Sequence, residues 1–214
     1  MNEMNQRAPI HGVVALLGAA IVSVAVASFA QTPSLISLEA QKRIIDAPGV
    51  SALGATSPDV VVVEYFDFNC PFCRKLAPSF RMLLKTDPKV AVLYKDWPIF
   101  GGVSVYAARC ALAAQWQGQY EKAHEALISA PRLSQNEQVD ETLQHAGIDI
   151  GRIHRDLQQH GAEIEALLAR NSNEAQQLGI RGTPGILVAR QTISNIADLA
   201  DLQAAVSNAR ITHP

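Results

Sequence analysis

Three cysteines in 214 residues are too few to staple a small secreted fold, and the chain has no basic run, its 18 Lys and Arg standing against 20 Asp and Glu for a net charge of −2. The first scarcity excludes a disulfide-framework miniprotein. The second removes the electrostatic footprint of a nucleic-acid binder. A single C-x-x-C with no closely spaced histidine pair leaves a structural zinc site short of ligands. There is no internal repeat and no low-complexity tract, so the length reads as one globular domain with room for an insertion.

What the chain does have is one long apolar run. Residues 12–30, GVVALLGAAIVSVAVASFA, follow a polar stretch containing Arg7 and precede Gln31-Thr32-Pro33-Ser34. A positive end, an apolar stretch and the small-residue site Ser28-Phe29-Ala30 have the layout of a secretory signal peptide cut after Ala30. The alternative is an uncleaved anchor, since about 18 apolar residues span a bilayer. Either reading exports the remainder, most naturally to a bacterial periplasm, where a cysteine pair can be oxidised.

After a lead-in over 31–58, with a short amphipathic helix at 35–46 opened by Ser34, VVVVEYFDF is too apolar for a surface strand and reads as a central one covered on both faces. It runs directly into Cys70-Pro71-Phe72-Cys73. From there Cys73, Leu76, Ala77, Phe80, Leu83 and Leu84 repeat at helical spacing up to Thr86-Asp87-Pro88. VAVLYK at 90–95 is a second strand. Residues 103–178 are helical in period, broken near Gly118, Pro131, Gly147 and Gly161, and too long for a connection. ILVAR is a third strand, QTISN a turn, and ADLADLQAAVSNAR a closing helix. Strand, helix, strand, helical block, strand, helix is an α/β order, with 59–102 and 179–214 as the core and 103–178 as a helical insertion.

Cys70 is the N-cap of its helix in this reading, and Pro71 occupies the first helical position, where a missing N–H costs nothing. Unpaired N–H groups of Phe72 and Cys73 and the positive end of the helix dipole then favour a thiolate on Cys70. Cys73, a turn further in, is expected to be the more buried and less acidic sulfur. Cys70 attacks and Cys73 resolves.

A C-x-x-C opening a helix after a buried strand, Pro78 inside that helix and Thr183-Pro184 before a strand resemble, in that order, the thioredoxin-like fold of the DsbA-like thiol-disulfide oxidoreductases, over roughly residues 50–210. The resemblance implies a redox-active Cys70/Cys73 disulfide and a cis proline at 184. It also implies a buried acid at Glu64 that exchanges a proton with the inner cysteine, and substrate contacts from Pro71, Phe72, Thr183 and Pro184. Lys95 becomes a candidate partner of Glu64, against a solvated lysine. No cofactor or metal is implied. Partners would be cysteine-containing exported proteins and a membrane redox partner that regenerates the pair, with the oligomeric state open. The oxidase direction is favoured, with reductase or isomerase as alternatives because Phe72 and Thr183 depart from the most oxidising members.

Two readings from other classes stay open: a metal-binding module using the C-x-x-C, and a binding protein with an inert 70–73 disulfide. Cys110, on a stripe with Val103, Ala107 and Ala114, reads as a buried apolar thiol. His145, His154 and His160, nine and six residues apart, read as solvated. Trp97 and Phe100 either border a substrate groove or cap the core.

Overall fold

The computed structural model describes residues 35–49 and 51–212, so the signal or anchor segment at 12–30 and the cleavage after Ala30 lie outside the described residues. Its elements are α1 (Leu38–Ile45), β1 (Ser51–Gly54), β2 (Val60–Phe66), α2 (Pro71–Thr86), β3 (Val90–Asp96), α3 (Val103–Ala113) and α4 (Tyr120–Ser129). There follow α5 (Asn136–His145), α6 (Ile150–Gln177), β4 (Gly185–Val188), β5 (Gln191–Ile193) and α7 (Leu199–Thr212). The sheet order is β1-β3-β2-β4-β5, with β2 and β3 parallel and every other neighbouring pair antiparallel.

The β2/β3 register sets Glu64 against Tyr94 and Tyr65 against Lys95. Because side chains alternate along a strand, Val60, Val62, Phe66, Val92 and Tyr94 face the larger core, closed by α2, α7 and the helical layer α3–α6. Val63, Tyr65, Leu93 and Leu187 face a second core with Ile44 of α1 and Ala175 near the end of α6. On α2, Leu76, Phe80 and Leu83 are fully buried, and each such side chain contributes about 1.5–3 kcal/mol.

Several local expectations change. The α1 cap is Ser37, whose hydroxyl accepts from the Ala40 N–H, rather than Ser34. Gly161 does not break a helix: α6 runs unbroken for 28 residues, because a mid-helix glycine costs only about 1 kcal/mol and the buried Ile153, Ile164, Leu167 and Leu168 flank it. Residues 191–193 of the expected QTISN turn form β5, and the turn sits instead before them, with Ala189 at φ 51°. The four-residue edge strand β1 carries too little pattern to be seen in sequence and is held by antiparallel pairing to β3. Gly179 closes α6 at φ 71°, a conformation that favours glycine.

Candidate active site

The helix start forms as its sequence dictates. The Cys70 sulfur accepts from the Cys73 N–H at 3.5 Å, and Pro71 is the first helical residue. Pro78 inside α2 lacks the N–H that would bond one turn back, and the helix continues past it. The preceding loop is fixed from both sides. Asp67 accepts from the Asn69 and Phe100 N–H groups at 2.7 and 3.0 Å. Asn69 exchanges two hydrogen bonds with the backbone of Leu133, at 2.9 and 3.0 Å.

Opposite the sulfur stands the segment before β4. The Thr183–Pro184 peptide is cis, and the Cys70 thiol donates to the Thr183 carbonyl at 3.1 Å. Gly185 is required beside it, since a Cβ there would collide with Ile180. The Thr183 hydroxyl is buried and has no protein partner among the described residues.

Acidity separates the two sulfurs. Cys70 and Cys73 are each 1% exposed and both are free thiols, so neither is open to solvent, and Cys73 is the more heavily desolvated of the two, as expected. Hydrogen bonding from the Cys73 thiol, then from the Cys73 and Phe72 N–H groups, overcomes desolvation and lowers Cys70 to about 6. Desolvation, the hydrogen bond to Cys70 and the nearby Glu64 push Cys73 far above an ordinary thiol.

Glu64 is 3% exposed on the same face of β2, its Oε1 without a protein partner among the described residues. Desolvation first, and the Cys70 charge second, raise it well above the usual carboxylate range, so it sits under the cysteines as a neutral acid. Lys95 does not pair with it. Its odd position on β3 sends it to the other face, where its Nζ lies 2.8 Å from Glu174 Oε2, and Tyr65 donates to the same oxygen at 3.2 Å.

The remaining residues divide. Phe72 and Phe100 are 69% and 55% exposed at the mouth. Trp97 instead packs in the second core and donates to Ser172. Cys110 is buried, and desolvation pushes it up to about 12. His145 is exposed, but His154 bonds Asp140 and Tyr106, and His160 stacks on Trp116 at 4.1 Å, so two of the three are engaged rather than merely solvated. Among the described residues no cluster of three or more His, Cys, Asp or Glu could hold a metal, and no helix is long and apolar enough to cross a membrane.

Sequence reasoning missed Asn69, Arg74, Asp96, His124 and Glu174. Arg74 donates to the carbonyls of Phe68, Leu127, Ala130 and Pro131. Asp96 is buried, accepts from the Tyr120 hydroxyl at 2.8 Å, and desolvation pushes it up to about 7. His124 stacks among Phe66, Tyr94 and Tyr120, and desolvation lowers it to about 3. The signal for His124 was present: with Tyr120, Ala123, Leu127 and Ile128 it completes the buried stripe of α4.

A DSBA-like thioredoxin domain family matches residues 61–207. A thioredoxin-like oxidoreductase from Silicibacter pomeroyi is 36% identical, with a TM-score of 0.75 over 79% of this chain and 97% of that one. The probable disulfide bond formation protein D of Bacillus anthracis is 27% identical over 150 residues, which is 64% of this chain and 68% of that protein. The Na(+)/H(+) antiporter NhaA 3 of Salinispora tropica is 28% identical over 160 residues, 73% of this chain, so the chain spans about a quarter (24%) of that relative. With the family match running from β2 into α7 and enclosing both cysteines and the Thr183–Pro184 bond, this chain belongs to the DSBA-like thioredoxin domain family.

Proposed function

We propose that the protein is an exported thiol-disulfide oxidoreductase that exchanges disulfides with cysteine-containing proteins through Cys70 and Cys73, working in the oxidase direction. The observation that carries this reading is the opposed acidity of two sulfurs on one helical turn, Cys70 at about 6 and Cys73 far above an ordinary thiol, over a neutral buried Glu64. The likeness to the probable disulfide bond formation protein D of Bacillus anthracis and to the thioredoxin-like oxidoreductase of Silicibacter pomeroyi supports the same class.

In the oxidase direction a substrate thiolate attacks the Cys70 sulfur of the oxidised pair. The 70–73 bond breaks, its electron pair goes to Cys73, and a proton from Glu64 makes the leaving sulfur a thiol. A second substrate thiolate then attacks the substrate sulfur of the mixed disulfide. Cys70 leaves as a stabilised thiolate, the substrate holds a disulfide, and the protein holds the Cys70 thiolate, the Cys73 thiol and an ionised Glu64 that regains its proton from solvent. Stabilising the Cys70 thiolate lowers the free energy of the reduced form, which makes the disulfide the stronger oxidant. The cis segment at Thr183–Pro184 is read as the strip along which an extended substrate lies, with Pro71 and Phe72 beside it. A membrane redox partner would remove the two electrons, and the apolar run at 12–30 supports delivery across a membrane.

The deciding measurements are the reduction potential of the Cys70/Cys73 couple and the turnover of a reduced multi-cysteine protein. We expect a potential above the roughly −270 mV of a reducing thioredoxin and toward the roughly −120 mV of a strong oxidase, with turnover abolished in Cys70→Ser. A Cys70→Ser protein that still oxidised its substrate would sink the assignment, and a potential near the lower value would reverse the direction.

A further inference from the structure

Among the described residues, the two cavities at the mouth of the cysteine site are lined by arginines and by no acid. On the Pro71 side a cavity of about 730 Å³ is lined by Arg74, Arg81 and Arg132 together with Pro78, Phe100 and Ile128. On the Phe72 side a cavity of about 440 Å³ is lined by Arg181, Gly182, Pro184 and Ile196. Neither is lined by an Asp or Glu.

The cations differ in how far they are spent. Arg81 is neutralised by Glu125 at 2.5 Å. Arg74 hydrogen-bonds only backbone carbonyls and also feels the nearby Asp67 carboxylate, so its charge is fixed in place and partly answered. Arg132 and Arg181 are exposed and make no hydrogen bond or ion pair among the described residues. The acid next to the cysteine loop, Asp67, is buried, lines neither cavity and is turned to the Asn69 and Phe100 N–H groups.

Both free arginines are tied to the nucleophile by short, fixed connections. Arg132 precedes Leu133, whose backbone is doubly bonded to Asn69, the neighbour of Cys70. Arg181 lies two residues before Thr183, whose carbonyl accepts from Cys70. A segment that crosses Cys70 from the Pro71 cavity to the Phe72 cavity runs from the one lined by Arg132 to the one lined by Arg181. Resting on the oxidoreductase reading above, we propose that this site selects cysteines flanked by acidic residues, with Arg132 and Arg181 as the specificity-determining pair. The selection acts on encounter and orientation, the steps that complementary surface charge governs.

The test uses the reduced wild-type protein and two blocked peptides, each carrying one cysteine as its 2-thiopyridyl disulfide. In one peptide the cysteine is flanked on both sides by aspartates, in the other by lysines. The Cys70 thiolate attacks the peptide sulfur, the peptide–pyridyl bond breaks and pyridine-2-thione leaves, which absorbance follows. Cys73 then loses its proton and attacks Cys70, freeing the peptide thiol and leaving the 70–73 disulfide. The leaving group is shared, and the same two peptides are run against every protein, so the aspartate-to-lysine rate ratio compares proteins directly.

We expect a ratio on the order of tenfold at low salt in the wild type, falling toward one in about 0.5 M salt. It should approach one in Arg132→Gln/Arg181→Gln and invert in Arg132→Glu/Arg181→Glu. Equal ratios in all three proteins, or a ratio indifferent to salt, would overturn the proposal. The uncharged reagent 2,2′-dithiodipyridine separates the two readings: if wild-type Cys70 reacts with it no faster at neutral pH than an ordinary thiol, the oxidoreductase reading itself fails.

Discussion

Two ionisable side chains are buried on neighbouring strands of one sheet, one residue out of phase, and the fold treats them in opposite ways. Lys95 is 0% exposed and meets Glu174, which Tyr65 also holds, so its charge is kept and answered. Glu64, on the other face, is 3% exposed with one oxygen unpartnered, so it is kept neutral and able to give up a proton. A paired charge fixes geometry, whereas an unpaired acid of raised pKa is suited to proton transfer. The contrast distinguishes a structural device from a chemical one within a single strand pair.

The largest effect should come from breaking the answered charge. Lys95→Met leaves Glu174 with only the longer Arg170 ion pair at 3.8 Å and the Tyr65 hydroxyl, and about 3 kcal/mol of stability should be lost in denaturant titration. The reactivity of Cys70 should be unchanged, and a large change in it would mean that the two faces are coupled.

Next comes the pH dependence of the Glu64 face. Asp96 is raised to about 7, so its contribution is full below its unfolded value near 4 and is lost as pH rises through 7. His124 is lowered to about 3, so its contribution is full above its unfolded value near 6.5 and is lost as pH falls. The two slopes oppose each other between about pH 4 and 6.5. Glu64, also raised, adds a slope of the same sign as Asp96, so Asp96→Asn should make the change of stability with pH more positive by about 2 kcal/mol across that window. Unfolding at three pH values would measure it, and an unchanged profile would remove Asp96 from the account.

Removing the unanswered acid should act on rate rather than stability. Glu64→Gln should shift stability by less than about 0.5 kcal/mol, because a neutral amide replaces a neutral acid of equal size. Steps in which Cys73 gains or loses a proton should slow about tenfold or more, and their pH dependence should flatten. A variant that unfolds but exchanges at the normal rate would reverse the roles assigned to Glu64 and Lys95. The smallest effect is expected for Tyr65→Phe, which deletes one hydrogen bond to Glu174 and should cost about 1 kcal/mol.

The same contrast marks how far sequence reasoning reached. Strand β2, the cysteine helix and the buried position of Glu64 were legible because an unbroken apolar run, a proline at a helix start and a 3.6-residue stripe are local signals. Lys95 was assigned the wrong partner, although alternation alone separates position 64 from position 95 once Glu64 is set opposite Tyr94. That register is a tertiary fact. Glu174 lies 79 residues further along, on a helix that spacing had split at Gly161. The edge strands β1 and β5, four and three residues long, are defined by their neighbours' hydrogen bonds more than by their own composition. The acidity difference between the cysteines was readable from the cap, but the shielding of Cys70 from solvent was not, because the covering segment at Thr183 comes from 113 residues away.

The hold of Asn69 and Arg74 on the helical layer bears on how the architecture can be trimmed. Cutting out residues 103–178 to reach a minimal fold would strip Asn69 of both Leu133 bonds and Arg74 of three of its four carbonyl acceptors. It would also remove the Glu174 that answers Lys95. Each polar group left buried and unmet costs about 1–3 kcal/mol, and an orphaned buried charge costs more. The layer that looks like a detachable accessory is therefore bolted to the loop that carries the nucleophile, and any shortened descendant of this chain must first replace residues 69, 74 and 95.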